Sequence, residues 1–99
     1  MKSNTYPKMS QLKTGNQFKV LEVTGTSGMI MPEHISTKEA VITVQKGSAV
    51  LKMKGIDHEL NLNTSFLVPA GEKHELKILE NFQAIVIMEI DSEVKFTNN

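Results

Sequence analysis

The sequence predicts an all-β protein, a small barrel forming a single domain, and three observations carry that reading. Runs of about four to eight residues either alternate apolar with polar side chains or are rich in β-branched residues, as strands with a buried face require. Glycine, proline, asparagine and serine cluster between those runs and mark turns. No segment keeps a helical period beyond one turn, and no internal repeat is present. At 99 residues the chain is long enough for one core and no more.

Taken in order, residues 1–16 read as an N-terminal lead with room for one edge strand, residues 17–91 as the barrel and residues 92–99 as a polar tail. Between Gln17 and Thr24, Phe18 and Val20 share one face while Leu21 and Val23 share the other. Gly25 to Gly28 is a turn by composition, and Met29 to His34 is a short strand with Ile30, Pro32 and His34 on one parity. Ser36 to Glu39 has the spacing of a capping box, but the strand-like run behind it favours a loop. Ala40 to Gln45 is strongly β-prone and is expected to end in a turn at Lys46-Gly47. Ser48 to Lys54 alternates with Ala49, Leu51 and Met53 inward, and Gly55-Ile56-Asp57 turns the chain again. His58, Leu60 and Leu62 then alternate, and Thr64 to Val68 is a short apolar strand.

The turn Pro69-Ala70-Gly71 follows, because proline cannot donate to a ladder and glycine accepts a positive φ. Beyond it His74, Leu76 and Ile78 share one face, which puts a polar ring on an apolar surface and demands a partner for it. The run from Phe82 or Gln83 to Ile90 is the longest apolar one.

Composition excludes several classes of function. Cationic and acidic side chains number 11 each, so the formal net charge is zero and nothing points to nucleic acid or an anionic membrane. Every cation is lysine, so the arginine fork suited to phosphate is missing, which argues against nucleotide or sugar-phosphate substrates. The absence of cysteine removes thiolate nucleophiles, thiolate metal sites and disulfides. No apolar run approaches the roughly 18–20 residues of a membrane span, and Met1 to Ser10 lacks the apolar core of a signal peptide. A cytoplasmic location is the expectation.

The chain resembles the cupin family of small jelly-roll barrels over Gly28 to His74. Gly28 precedes His34 by the family's five-residue gap, and Gly47 closes the first motif. Pro69, Gly71 and His74 match the second motif, with Asn63 in place of its leading glycine and Ile78 in place of its final asparagine. The resemblance implies a cupin-type jelly-roll β-barrel whose metal-bearing members use three histidines and a glutamate. His34 and His74 keep two of those positions, while Ser36 and Ala40 occupy the other two. Glu39 is one residue off and by parity points to the opposite face.

Two imidazoles without a carboxylate hold a divalent ion weakly, since a working site takes about three protein ligands and an open position. The expectation is therefore a cavity that binds a small, largely apolar molecule, lined by His34, His74, Ser36, Ala40, Ile42, Met53 and Phe66. No resident cofactor is expected beyond a weakly held divalent metal on His34 and His74. The alternative is a metal-dependent cupin enzyme, a dioxygenase or isomerase, with a reduced ligand set. His58 supplies a third nitrogen only if its strand reaches the same end of the barrel, and its place beside a hairpin turn argues for the surface. Met29, Met31, Met53 and Met88 have the softness for copper, but methionine fills cores far more often than it ligates.

A homodimer is expected as well. Ile85 and Ile87 back the inward row Ala84, Val86 and Met88, and Val41 backs Ala40, Ile42 and Val44. A strand of a lone barrel should face water on one side. The cover for these outer residues is either a second subunit or the segment Tyr6 to Leu12 folded back over the sheet.

Overall fold

The computed structural model describes residues 6–97 and contains eight strands among them: β1 (Lys8–Thr14), β2 (Phe18–Gly25), β3 (Ile30–Ser36), β4 (Ala40–Met53), β5 (Ile56–Leu60), β6 (Ser65–Val68), β7 (His74–Glu89) and β8 (Val94–Phe96). No helix is among them, so no helix is long and apolar enough to cross a membrane.

Two long strands form the spine. β4 and β7 pair antiparallel from Ala40 opposite Met88 to Met53 opposite His74. Around one half of this pair lie β6, β4, β7, β2 and β1; around the other lie β5, β4, β7, β3 and β8. The two halves face each other across one core, with Val23, Ile42 and Val86 from the first half and Met31, Leu51 and Leu76 from the second. The result is an all-β jelly-roll barrel. Its sheet path ends in β1 on one side and β8 on the other, and these two edges are not paired to each other.

The corner sits where the sequence suggests a turn. Lys46-Gly47 does not end a strand; β4 runs through it, and the β4–β7 register slips between Val44 and Ala49. Extra residues on one strand bend and twist the sheet, which is how a long ladder wraps a core. Gly47 has φ +73°, and a Cβ there would lie 1.9 Å from the Asn81 carbonyl oxygen. Likewise the runs from His74 and from Phe82 are one strand, β7. The next turn is Lys54-Gly55, with both residues at positive φ, the backbone of a two-residue hairpin loop, and β5 starts at Ile56. Asn63, in the place of a motif glycine, takes φ +67°.

Both ends of the described chain are more ordered than their composition suggests. β1 is an edge strand paired to β2, so the segment Tyr6 to Leu12 does not fold over the outer face of the sheet. The stretch read as a polar tail contains a fixed turn and a strand: Ser92 is fully buried, its hydroxyl accepts from the Lys38 amide at 3.2 Å, and its carbonyl accepts from Lys19 Nζ at 2.7 Å. β8 then pairs with β3, placing Phe96 opposite His34. Covered by no described segment, the outer face of the first half carries the cross-strand row Leu67, Val41, Ile87 and Val20, of which Leu67 is 54% and Ile87 40% exposed.

Candidate functional site

The motif residues meet inside the barrel. β3 and β7 pair with His34 directly opposite His74, which sets both rings on the same face. The sequence parity places His34 with Ile30 and Pro32, but a bulge between Met31 and His34 inserts one extra residue, so Met31 and His34 both turn inward. Proline cannot donate to the ladder, and Pro32 lies inside that bulge. On the other side, the Pro69–Lys73 turn is tied to β3 by the Gly71 amide, which donates to the Ser36 carbonyl at 2.8 Å. The Lys54–Glu72 ion pair, 3.6 Å long, with Lys54 exposed and Glu72 half-buried, links the β4–β5 hairpin to the same turn.

The two imidazoles are 4.2 Å apart, centroid to centroid, in an edge-on arrangement. Nδ1–H of His34 donates to the Pro32 carbonyl at 2.7 Å, and Nδ1–H of His74 donates to the Glu72 carbonyl at 2.9 Å. A carbonyl only accepts, so Nδ1 carries the proton in each neutral ring and Nε2 is left with a lone pair. Neither Nε2 has a hydrogen-bond partner among the described residues. Burial pushes the His34 pKa down to about 4, with the neighbouring His74 adding to it and the Pro32 carbonyl opposing. Burial also lowers that of His74, against the pull of the Glu72 carbonyl and carboxylate. Both rings are neutral acceptors at pH 7. Ser36 is buried beside them, and its hydroxyl has no hydrogen-bond partner among the described residues.

These groups line a cavity of about 50 Å³. Five of the seven residues expected around it are there: His34, His74, Ser36, Ala40 and Ile42. Met53 and Phe66 are not. Met53, the last residue of β4, lies opposite His74 at the end of the ladder and packs half-buried on the core edge. Phe66, on the outer strand β6, sets its ring 5.0 Å from His58. The same contact accounts for His58, which does not line the cavity.

Sequence reasoning missed Met9 and Val94, contributed by β1 and β8 from the stretches read as lead and tail. Val86 and Met88 also line the cavity and were legible, since they share the inward parity of Ala84. Of the methionines considered for a soft-metal pocket, Met31 and Met88 reach the cavity and Met29 and Met53 do not.

The residues present do not fit the metal that the cupin resemblance implies. A hydroxyl and a methyl stand at positions 36 and 40, Glu39 is exposed, and no group of three or more His, Cys, Asp or Glu converges among the described residues. A dication here would be buried without an anionic ligand, at heavy desolvation cost.

No protein-family model matches the chain, and no curated protein matches it in sequence. Solved structures match it in fold. A DMSP lyase from Ruegeria pomeroyi superposes with TM-score 0.83 at 18% identity, over 93% of this chain and 52% of the lyase, so this chain spans about half the length of that enzyme. A conserved protein with a double-stranded β-helix domain from Klebsiella pneumoniae superposes with TM-score 0.83 at 19% identity, over 100% of this chain and 85% of its own. A cupin superfamily protein from Desulfitobacterium hafniense does so with TM-score 0.78 at 16% identity, over 92% of this chain and 84% of its own. Likeness at such identities is likeness of fold: the chain has the cupin double-stranded β-helix.

Proposed function

We propose that the cavity around His34 and His74 binds a small, neutral organic molecule by a hydrogen-bond-donating group such as a hydroxyl. The observation that supports this is the meeting of two free imidazole acceptors and one unpartnered buried hydroxyl in an otherwise apolar cavity. Two lone pairs turned into one space call for a donor between them. An anionic head would meet those lone pairs with no cation in the lining, and an ammonium would be stripped of water with no carboxylate to receive it. A neutral donor remains.

The size of the cavity bounds the head. One water needs about 10–15 Å³ on the same measure, so about 50 Å³ takes three or four heavy atoms. A divalent ion on His34 and His74 alone would be weakly held and exchangeable, which leaves the metal-enzyme reading without a donor set to support it.

We also propose that two chains pair through the outer face bearing Leu67, Val41, Ile87 and Val20. Its support is a continuous apolar row that no described segment of the same chain covers.

The binding reading is tested with propanol, followed by the methyl resonances of Met9, Met31 and Met88. Saturable shifts in these methyls, lost in His34→Gln, are the expected result. Shifts that grow linearly without saturation, or that persist in the variant, would count against the reading.

A further inference from the structure

The cavity is too small to hold most metabolites, yet it does not end at its own walls. A second, outer pocket of about 360 Å³ lies against it, lined by Tyr6, Pro7, Met31, Pro32 and Phe96. Met31 lines both spaces, and His34 has its ring between that of His74, 4.2 Å away, and that of Phe96, 5.5 Å away. The two spaces are thus neighbours across one methionine and one imidazole. Methionine is unbranched and has three rotatable side-chain bonds, so it makes a movable partition.

The position of the outer pocket follows from the topology. β1 and β8 are the two unpaired ends of the sheet path, and each lends one residue to the inner cavity, Met9 and Val94. Tyr6 and Pro7 lead into β1, and Phe96 lies on β8. The seam between the two edges is the mouth of the barrel. Its walls are two aromatic rings and two prolines, with a single phenolic hydroxyl as polar side-chain atom. Flat apolar faces of that kind favour a planar apolar guest.

We infer that the ligand carries an aromatic ring held in the β1–β8 seam between Tyr6 and Phe96, joined by a short link to a neutral hydrogen-bond-donating head at His34, His74 and Ser36. This deepens the binding reading above and rests on it. The inner space takes the head and a link of three or four heavy atoms in all, and the ring stays outside Met31. Aryl alcohols with a two-carbon link have that layout, with uncharged donor, short link and ring in order.

Three probes separate the parts on the full chain: phenethyl alcohol, propanol (head and link alone) and toluene (ring alone). Phenethyl alcohol is expected to bind about tenfold tighter than either fragment, as burial of a ring beside other rings allows. Phe96→Ala and Tyr6→Ala should each weaken phenethyl alcohol about threefold or more, and by more than either weakens propanol. Both side chains are 57% exposed, so the core is untouched by either change. Equal affinity of phenethyl alcohol and propanol, or an advantage that survives the double variant, overturns the inference while leaving the binding reading intact. Toluene matching phenethyl alcohol also overturns it, because head and ring would then not act as one ligand. Loss of every His34-dependent signal from both alcohols sinks the binding reading and this inference with it.

Discussion

Two glycines with the same backbone geometry should respond to alanine very differently. Gly47 has φ +73° and Gly55 has φ +74°, so a side chain costs each about 1–2 kcal/mol of left-handed strain. At Gly55, on a hairpin tip, a new Cβ meets nothing within 4 Å. At Gly47 it falls 1.9 Å from the Asn81 carbonyl oxygen and 2.7 Å from that of Glu80. Both obstacles are backbone and cannot rotate away. Restoring an ordinary contact of 3.4 Å takes a shift of roughly 1.5 Å (3.4 less 1.9) between β4 and β7 at the corner. Overpacking of this kind adds about 1–3 kcal/mol. Gly47→Ala should therefore lose about 2–5 kcal/mol, and Gly55→Ala about 1–2 kcal/mol. Urea denaturation followed by circular dichroism reads the difference as a shift in midpoint at constant slope. Against the 5–15 kcal/mol of a typical domain, the first change removes a large share of stability. Equal losses for the two variants would refute the claim that β4 and β7 touch at this corner.

Acidification should destabilise the fold through the buried imidazoles. Between pH 6.5 and about 4 the unfolded chain takes up a proton that His34 in the folded chain refuses. Its contribution is complete above pH 6.5 and drains away as pH falls toward 4, by about 3 kcal/mol for His34, with His74 acting in the same direction. Urea midpoints at pH 7.5 and 4.5 should diverge strongly in the unaltered chain and much less in His34→Gln; matching slopes in the two proteins contradict this. Ser36→Ala removes a buried hydroxyl without a partner and should raise stability by about 1 kcal/mol while weakening propanol binding, and a loss of stability would mean that the hydroxyl is satisfied in the folded protein. Sedimentation at micromolar concentration should show a dimer that Ile87→Lys converts to a folded monomer; a monomeric unaltered chain ends the pairing proposal.

How much of this was legible before any coordinates depends on which forces set each feature. Alternation located the inward faces of β4 and β7, because burial of one face imprints a period of two on the sequence. The two motif gaps placed His34 and His74 together, since fixed gaps reflect fixed turns. The bulge at Pro32 was not legible: a one-residue insertion in one strand is defined by the register of its partner, and it moved Met31 to the inside. Lys46-Gly47 read as a turn because turns and bulges ask for the same residue, one at ease with positive φ. Met9 and Val94 escaped notice for a different reason. These edge strands at the barrel mouth half-bury only one residue or two, too few to leave a period. Phe66 and Met53 share their parity with the cavity residues, but parity fixes a face and not a position along it.

The order in which the pairs can form has a consequence for how quickly the site comes into being. The hairpin of β4 and β5 closes over two residues and can form early in folding. The partners that finish the mouth lie far apart along the chain: the Thr97 hydroxyl reaches the Glu33 carbonyl across 64 positions, and Lys19 reaches Ser92 across 73. Contacts of such long range are slow to gain because the entropy of closing the loop comes before any reward. If these long-range pairs form last, His34 stays open to water until β8 joins β3. A ligand of the cavity would act on the folded state alone, shifting the equilibrium toward it by slowing unfolding and leaving the rate of folding nearly unchanged.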